Sequence, residues 1–141
     1  MDARDAAARW AATWRDAWEA GDPEPIVALY APHATFSTQA FREPFLGPDG
    51  VRAYVTRTLS EEEDQRVWMS EPIVEGDRAS ISWWASLREE GADATLAGTS
   101  VLRFDAAGLV VEQWDAWNVL DARAEPPATW SPFAARRDDA G

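Results

Sequence analysis

The sequence predicts an α+β fold in which three N-terminal helices pack on an antiparallel sheet with a pocket between them. Three observations carry that prediction. Up to about residue 60, apolar residues recur at three- and four-residue spacing, the period of a helix face. Beyond it, β-type runs alternate with short turn segments. The 141-residue chain also carries nine tryptophans, more than a small domain needs for its core, so some are expected to line a cavity or a subunit contact.

The first helix is expected over Asp2 to Ala20. Ala6, Trp10, Thr13, Trp14, Ala17 and Trp18 form its apolar stripe, and Gly21 ends it. Asp22 then caps a second helix that starts at Pro23, buries Ile26, Val27, Leu29 and Tyr30, and closes at Ala31-Pro32-His33. A short extended stretch follows at Thr35 to Thr38. Gly47-Pro48-Asp49-Gly50 opens a third helix to about Leu59, with Val51, Tyr54, Val55 and Leu59 on its buried side. Glu61-Glu62-Glu63-Asp64 reads as a solvated acidic loop. Four strands are then expected, over 66–74, 78–88, 94–104 and 109–119. Their connections are short and hairpin-like, which predicts antiparallel pairing. One domain is expected over 1–120. The tail over 121–141 is expected to dock in part through Trp130 and to fray at its end.

Composition narrows the function classes. Hydrophobic residues make up 46% and charged residues 27%, the balance of a globular domain. No apolar run approaches the roughly 20 residues that span a bilayer, and the N-terminus lacks the order of a signal peptide. With no cysteine there is no disulfide framework, and a cytoplasmic location is expected. A net charge of −12 repels phosphate backbones and anionic lipid surfaces, so neither nucleic acid nor membrane is expected as a partner. No P-loop, dinucleotide fingerprint, nucleophile elbow or zinc pattern occurs, so no cofactor and no metal is implied.

Several words in the chain carry a resemblance. They are Ala20-Gly21-Asp22, then Ile26-Val27-Ala28-Leu29-Tyr30-Ala31, then Ala34-Thr35-Phe36. Gly47 to Tyr54 follows, and then Gly98 through Phe104-Asp105, Gly108-Leu109-Val110 and Glu112-Gln113-Trp114-Asp115. In this order they resemble the NTF2-like superfamily, and within it the SnoaL-like (polyketide cyclase-like) proteins, over roughly residues 5 to 120. The resemblance implies an NTF2-like cone. The positions that serve ketosteroid isomerases of this fold fall on Trp14, Thr38 and Ser100, none of which suits that chemistry. Limonene epoxide hydrolase-like proteins need an Asp–Arg–Asp trio. Its last member matches Asp115, but its Arg-x-Asp pair is missing from the strand around Trp83 to Arg88. The acid/base Asp of SnoaL-type cyclases matches Asp115.

Asp115 lies between Trp114 and Ala116 in an apolar strand, where a carboxylate needs a reason to be. Two readings stay open. One is a pocket acid/base, and the other is a structural acid bonded to the first helix or to an indole N–H. Period-two alternation sets Gln113 and Trp117 beside it and turns Trp114 outward, toward a homodimer contact through the outer sheet face. His33, the single histidine, is a candidate partner for Asp115. Trp14, Trp18, Tyr30, Phe36, Tyr54, Trp68, Trp84 and Ser100 are the remaining candidates for holding a small hydrophobic, cyclic molecule. Trp83 and Trp84 are adjacent, so only one of them faces inward. Proton-transfer chemistry of the cyclase, isomerase or dehydratase type is one functional reading. The alternative is a non-catalytic ligand-binding or dimeric association domain.

Overall fold

The computed structural model describes residues 1–130. The expected fraying of the last residues falls outside them. Helix α1 spans Ala3–Ala20. The Asp2 side chain accepts a hydrogen bond from the Asp5 N–H at 2.8 Å, satisfying one of the free donors of the first turn. Gly21, at φ 68°, ends the helix in the left-handed region. Ala6, Ala7, Trp10, Ala11, Ala17 and Trp18 are its buried residues.

The second helix is much shorter than the sequence predicts. α2 is a single turn, Glu24–Val27, and the chain is already in β1 at Tyr30–Ser37. Two causes combine. Pro32 has no N–H with which to continue a helix. The Leu29 carbonyl instead accepts a bond from the Val110 N–H at 2.9 Å, which draws the chain onto the last strand. The register of β1 shifts between Tyr30 and Thr35, around that proline.

β2 (Phe45–Leu46) is a two-residue strand that leads into α3 (Gly47–Ser60). Gly47 sits at φ +64°, and a Cβ there would lie 2.9 Å from the Pro32 carbonyl oxygen. Only glycine satisfies both constraints. Val51, Val55 and Leu59, four residues apart, are the buried face of α3.

β3 (Glu62–Met69) begins inside the segment expected to be a solvated loop. The single expected strand over 66–74 is two strands, β3 and β4 (Ile73–Glu75). Pro72 lies in the gap, and both strands pair with β5 (Arg78–Glu89). β6 (Ala92–Phe104) and β7 (Val110–Leu120) complete a sheet of order β2-β1-β7-β6-β5-β3, with β4 also on β5. The sheet is mixed, not wholly antiparallel, because β1 runs parallel to β7. Hairpin logic fixes the direction only of strands joined by short turns. β1 and β7 come from opposite ends of the domain, so no turn constrains them.

Register divides the sheet into two faces. Trp83, Gly98 and Trp117 form one inward row, and Ile81, Ser100 and Asp115 form the next. α1 and α3 cover this face, and the hydrophobic core lies between. The outward face carries Trp84, and Trp68 pairs with it. Part of the tail crosses that outer face. The Trp84 Nε1 donates to the Ala124 carbonyl at 2.9 Å, and the Trp130 ring meets the Trp84 ring edge-on at 5.8 Å. No helix among the described residues is long and apolar enough to cross a membrane.

Gly98 is what allows two indoles to share the inner face. A Cβ at this position would lie 2.5 Å from the Ala116 carbonyl oxygen, 2.6 Å from the Trp117 Cβ and 2.9 Å from the Trp83 ring. Gly98→Ala is expected to destabilise the fold by about 1–3 kcal/mol, the usual range for overpacking. Chemical denaturation checks this, and a variant as stable as the parent would mean that the sheet has slack there.

Candidate functional site

Between the inner sheet face and the helices lies a cavity of about 530 Å³. Eight of its lining side chains are aromatic. Trp10, Trp14 and Trp18 recur every four residues on α1, so they stack along one helix face. Their rings are 5.8 and 5.9 Å apart in sequence. Trp83 meets Trp18 edge-on at 5.7 Å, and Phe36 bridges Trp14 to Tyr54. Ring pairs at such distances and angles follow the preferred geometry of aromatic quadrupoles.

Asp115 and its neighbours form the polar part of the sheet wall. Asp115 Oδ1 accepts from the Ser100 hydroxyl at 2.6 Å and from the Gln113 Nε2 at 3.1 Å. The Gln113 Oε1 accepts from the Tyr30 hydroxyl and from the Trp10 Nε1, the latter at 3.3 Å. Tyr30 in turn accepts from the Trp14 Nε1 at 3.2 Å, and Ser100 accepts from the Trp83 Nε1 at 3.0 Å.

Indole donors orient this network. An indole N–H only donates. Trp10 therefore turns the Gln113 oxygen toward itself, which leaves the amide N–H for Asp115. Trp83 takes one acceptor site of the Ser100 oxygen, and because an ionised carboxylate can only accept, the Ser100 proton goes to Asp115. Two chains of donors converge on Oδ1. Among the described residues Oδ2 accepts no hydrogen bond, and Asp115 lines the cavity. Any proton that Asp115 carries is thus held on Oδ2. Burial pushes the Asp115 carboxyl up to about 6, and the bonds from Ser100 and Gln113 oppose that rise.

A second carboxyl lines the same cavity. Glu62, 8% exposed, accepts from the Trp18 Nε1 at 2.7 Å through Oε1. Burial pushes it up to about 7, its bond from Trp18 opposes the rise, and the nearby Glu89 and Glu61 add to it. Tyr54 is pushed up to about 12, first by burial and then by the charge of Asp115, with Glu62 also contributing. Its hydroxyl therefore stays protonated at neutral pH. Exposed residues at the rim include the acids Glu43, Glu61, Glu89, Asp93 and Asp121, against Arg42 and Arg57.

Of the residues singled out from the sequence, Asp115, Gln113, Ser100, Trp14, Trp18, Phe36, Tyr54 and Trp117 line the cavity. Tyr30 is buried behind the wall, where it contacts the lining residues Gln113, Trp14 and Phe36. Three candidates belong elsewhere. Trp84 is on the outer face, and its neighbour Trp83 takes the inner position. Trp68 shares the outer face with Trp84, with the Arg66 guanidinium 5.0 Å from its ring centre. His33 is exposed on β1 and makes no contact with Asp115, because Ala34 and Phe36 take the buried positions of that strand.

Glu62 and Trp10 were missed. Trp10 sits on the apolar stripe of α1, and its spacing to Trp14 was a usable signal. Glu62 had none, since it lies in a run of acids that reads as solvated. Among the described residues no three or more His, Asp or Glu side chains converge as a metal site would need.

The SnoaL-like domain family matches residues 11–113. The chain belongs to that family. No curated protein matches the chain. Among solved structures, it is similar to a hypothetical protein with a ketosteroid isomerase-like fold from Catenulispora acidiphila DSM 44928, crystallised in complex with trimethylamine. The two are 20% identical with a TM-score of 0.69, over 86% of this chain and 95% of the other. At that identity the likeness extends to the fold, which in this SnoaL-like protein is the α+β cone with its mixed curved sheet.

Removing a donor to Oδ1 should raise Asp115 further, because both bonds favour the charged form. In Ser100→Ala the Asp115 carboxyl, followed by carboxyl-carbon NMR, is expected to titrate above its parent value of about 6. An unchanged or lower value would mean that Ser100 does not hold the anion.

Proposed function

We propose that the cavity binds a small hydrophobic molecule containing a ring, and that Asp115 transfers a proton on it in chemistry of the cyclase, isomerase or dehydratase type. The observation that carries this reading is the asymmetry of Asp115. Its Oδ1 is held by neutral donors, and its Oδ2 is left without one in an aromatic cavity. As a base, Oδ2 takes a proton from a carbon beside a ligand carbonyl. As an acid, it returns the same proton to a second position, so the carboxyl ends as it began. A value near 6 leaves both forms accessible around neutral pH, as general acid–base work requires. The protonated Tyr54 hydroxyl is available to donate to a ligand oxygen as charge develops there. Aromatic walls exclude water and strengthen each of these contacts.

That a protein of the same fold was crystallised with a small molecule, trimethylamine, supports the binding part of the reading. A cytoplasmic setting suits a chain without cysteine. A second reading is a non-catalytic binder, favoured by the structural bonds that tie Asp115 to the sheet. The two readings diverge on one variant. Asp115→Asn is expected to cut proton exchange on ketone, enol and polyketide-like substrates by about 10²-fold or more while the protein stays folded. Deuterium incorporation followed by NMR measures it. Retained exchange in the variant would leave only the binder.

We further propose that a second copy covers the open half of the outer sheet face. Ile73, Ser80, Val101 and Trp114 form one row across it. Trp114 is 50% exposed and Ile73 is 75% exposed, an apolar pair with no cover among the described residues. Sedimentation at micromolar concentration is expected to give the dimer mass for the parent and the monomer mass for Trp114→Glu. A monomeric parent would refute the dimer.

A further inference from the structure

We propose that the end of the cavity beside Glu62 is a site for an organic cation, a protonated or quaternary amine held by the Glu62 carboxylate within the indole-lined cavity. The inference rests on the reading that the cavity takes a small molecule, and it names the chemical class of that molecule.

Three independent features point to a positive ligand. First, Glu62 is more than nine-tenths buried, yet only its Oε1 accepts a bond, from Trp18. Among the described residues no cation pairs with it, and Oε2 accepts nothing. A buried carboxylate without a counter-charge is costly, so a cation arriving from outside gains what the fold does not supply. Second, the cavity that Glu62 lines also holds indoles. Trp18 bonds Glu62 through its Nε1 and meets Trp83 at 64° with centroids 5.7 Å apart. Indole faces lining a cavity attract ammonium groups through the ring quadrupole and offer nothing comparable to an anion. Third, the five acidic rim residues outnumber Arg42 and Arg57. A cleft of one dominant sign with apolar walls focuses its field and concentrates cations at its mouth.

The groups that bear on Glu62 come from several elements. Glu89 on β5 and Glu61 at the end of α3 raise its pKa, and Trp18 on α1 lowers it. Tyr54 and Arg57 on α3, Asp93 on β6 and Asp115 on β7 line the same cavity. With Glu62 titrating near 7, a permanent cation should bind better at pH 8 than at pH 5.

Quenching of tryptophan fluorescence by benzyltrimethylammonium, with benzyl alcohol as the neutral counterpart, tests the inference. The ammonium is expected to bind about tenfold tighter or better at pH 8, the advantage that the ionised Glu62 carboxylate gives a cation over a neutral probe. Glu62→Gln keeps an acceptor for Trp18 and is expected to lose that factor and most of the gain between pH 5 and pH 8. A thermal melt checks that it is folded. If it is not, the two probes on the parent protein at the two pH values decide alone. Equal affinity for both probes, or an unchanged affinity in folded Glu62→Gln, would overturn the cation site and leave the small-molecule reading standing. Binding of neither probe would also overturn it, and exchange by Asp115 would still report separately on the proposed chemistry.

Discussion

The interior of this protein is ordered by a property of indole: its N–H gives a hydrogen bond and takes none. Four tryptophans bring such donors to buried acceptors, namely Trp10 to Gln113, Trp14 to Tyr30, Trp18 to Glu62 and Trp83 to Ser100. Each donor fixes the orientation of the group it reaches. Gln113 and Ser100 direct their protons at Asp115. The carboxylate is stabilised without a cation, and its second oxygen accepts no bond among the described residues. Take away the indoles and the amide and hydroxyl could turn, with the polarity of the wall lost.

The same rings set the shape of the cavity. Trp10, Trp14 and Trp18 stand on one helix stripe, and Trp83 and Trp117 face them from the sheet. Gly98 separates the two sheet indoles because nothing larger fits. Burying aromatic surface of this extent is a large favourable contribution to folding, roughly 25 cal/mol per Å² of apolar area. That contribution offsets the cost of holding two carboxyls, Asp115 and Glu62, inside the same shell. The acids sit among different partners. Asp115 takes two neutral donors on one oxygen, and Glu62 takes a single indole and feels like charges nearby. One cavity therefore offers two carboxyls of unequal environment.

Much of the fold was legible in the chain. The stripe of α1, the Gly47 to Leu59 helix and the three hairpins from β4 onward follow from local periodicity and turn chemistry. The candidate wall was partly legible for the same reason. Once Asp115 is taken as inward-facing, period-two alternation puts Gln113 and Trp117 on its side and Trp114 on the other. Errors came where a long-range bond overrides local preference. Ile26 to Tyr30 reads as helix, yet the bond from Val110 N–H to the Leu29 carbonyl turns it into a strand entrance. His33 went with it, from a helix end to an exposed strand position. Glu62 reads as solvent-facing among acids, yet β5 pairs with it and Trp18 caps it.

By itself, the sequence determined the element order, the α+β class, the SnoaL-like kinship and the presence of an acid within a tryptophan-rich last strand. These rest on patterns only a few residues long, which the chain carries wherever it folds. Only the tertiary structure decided that Trp83 and not Trp84 enters the cavity, since adjacent residues are equivalent until one face is covered. It also decided that β1 runs parallel to β7 and that Glu62 joins Asp115 inside. Each of these depends on which distant segment arrives alongside, and no local pattern encodes that arrival.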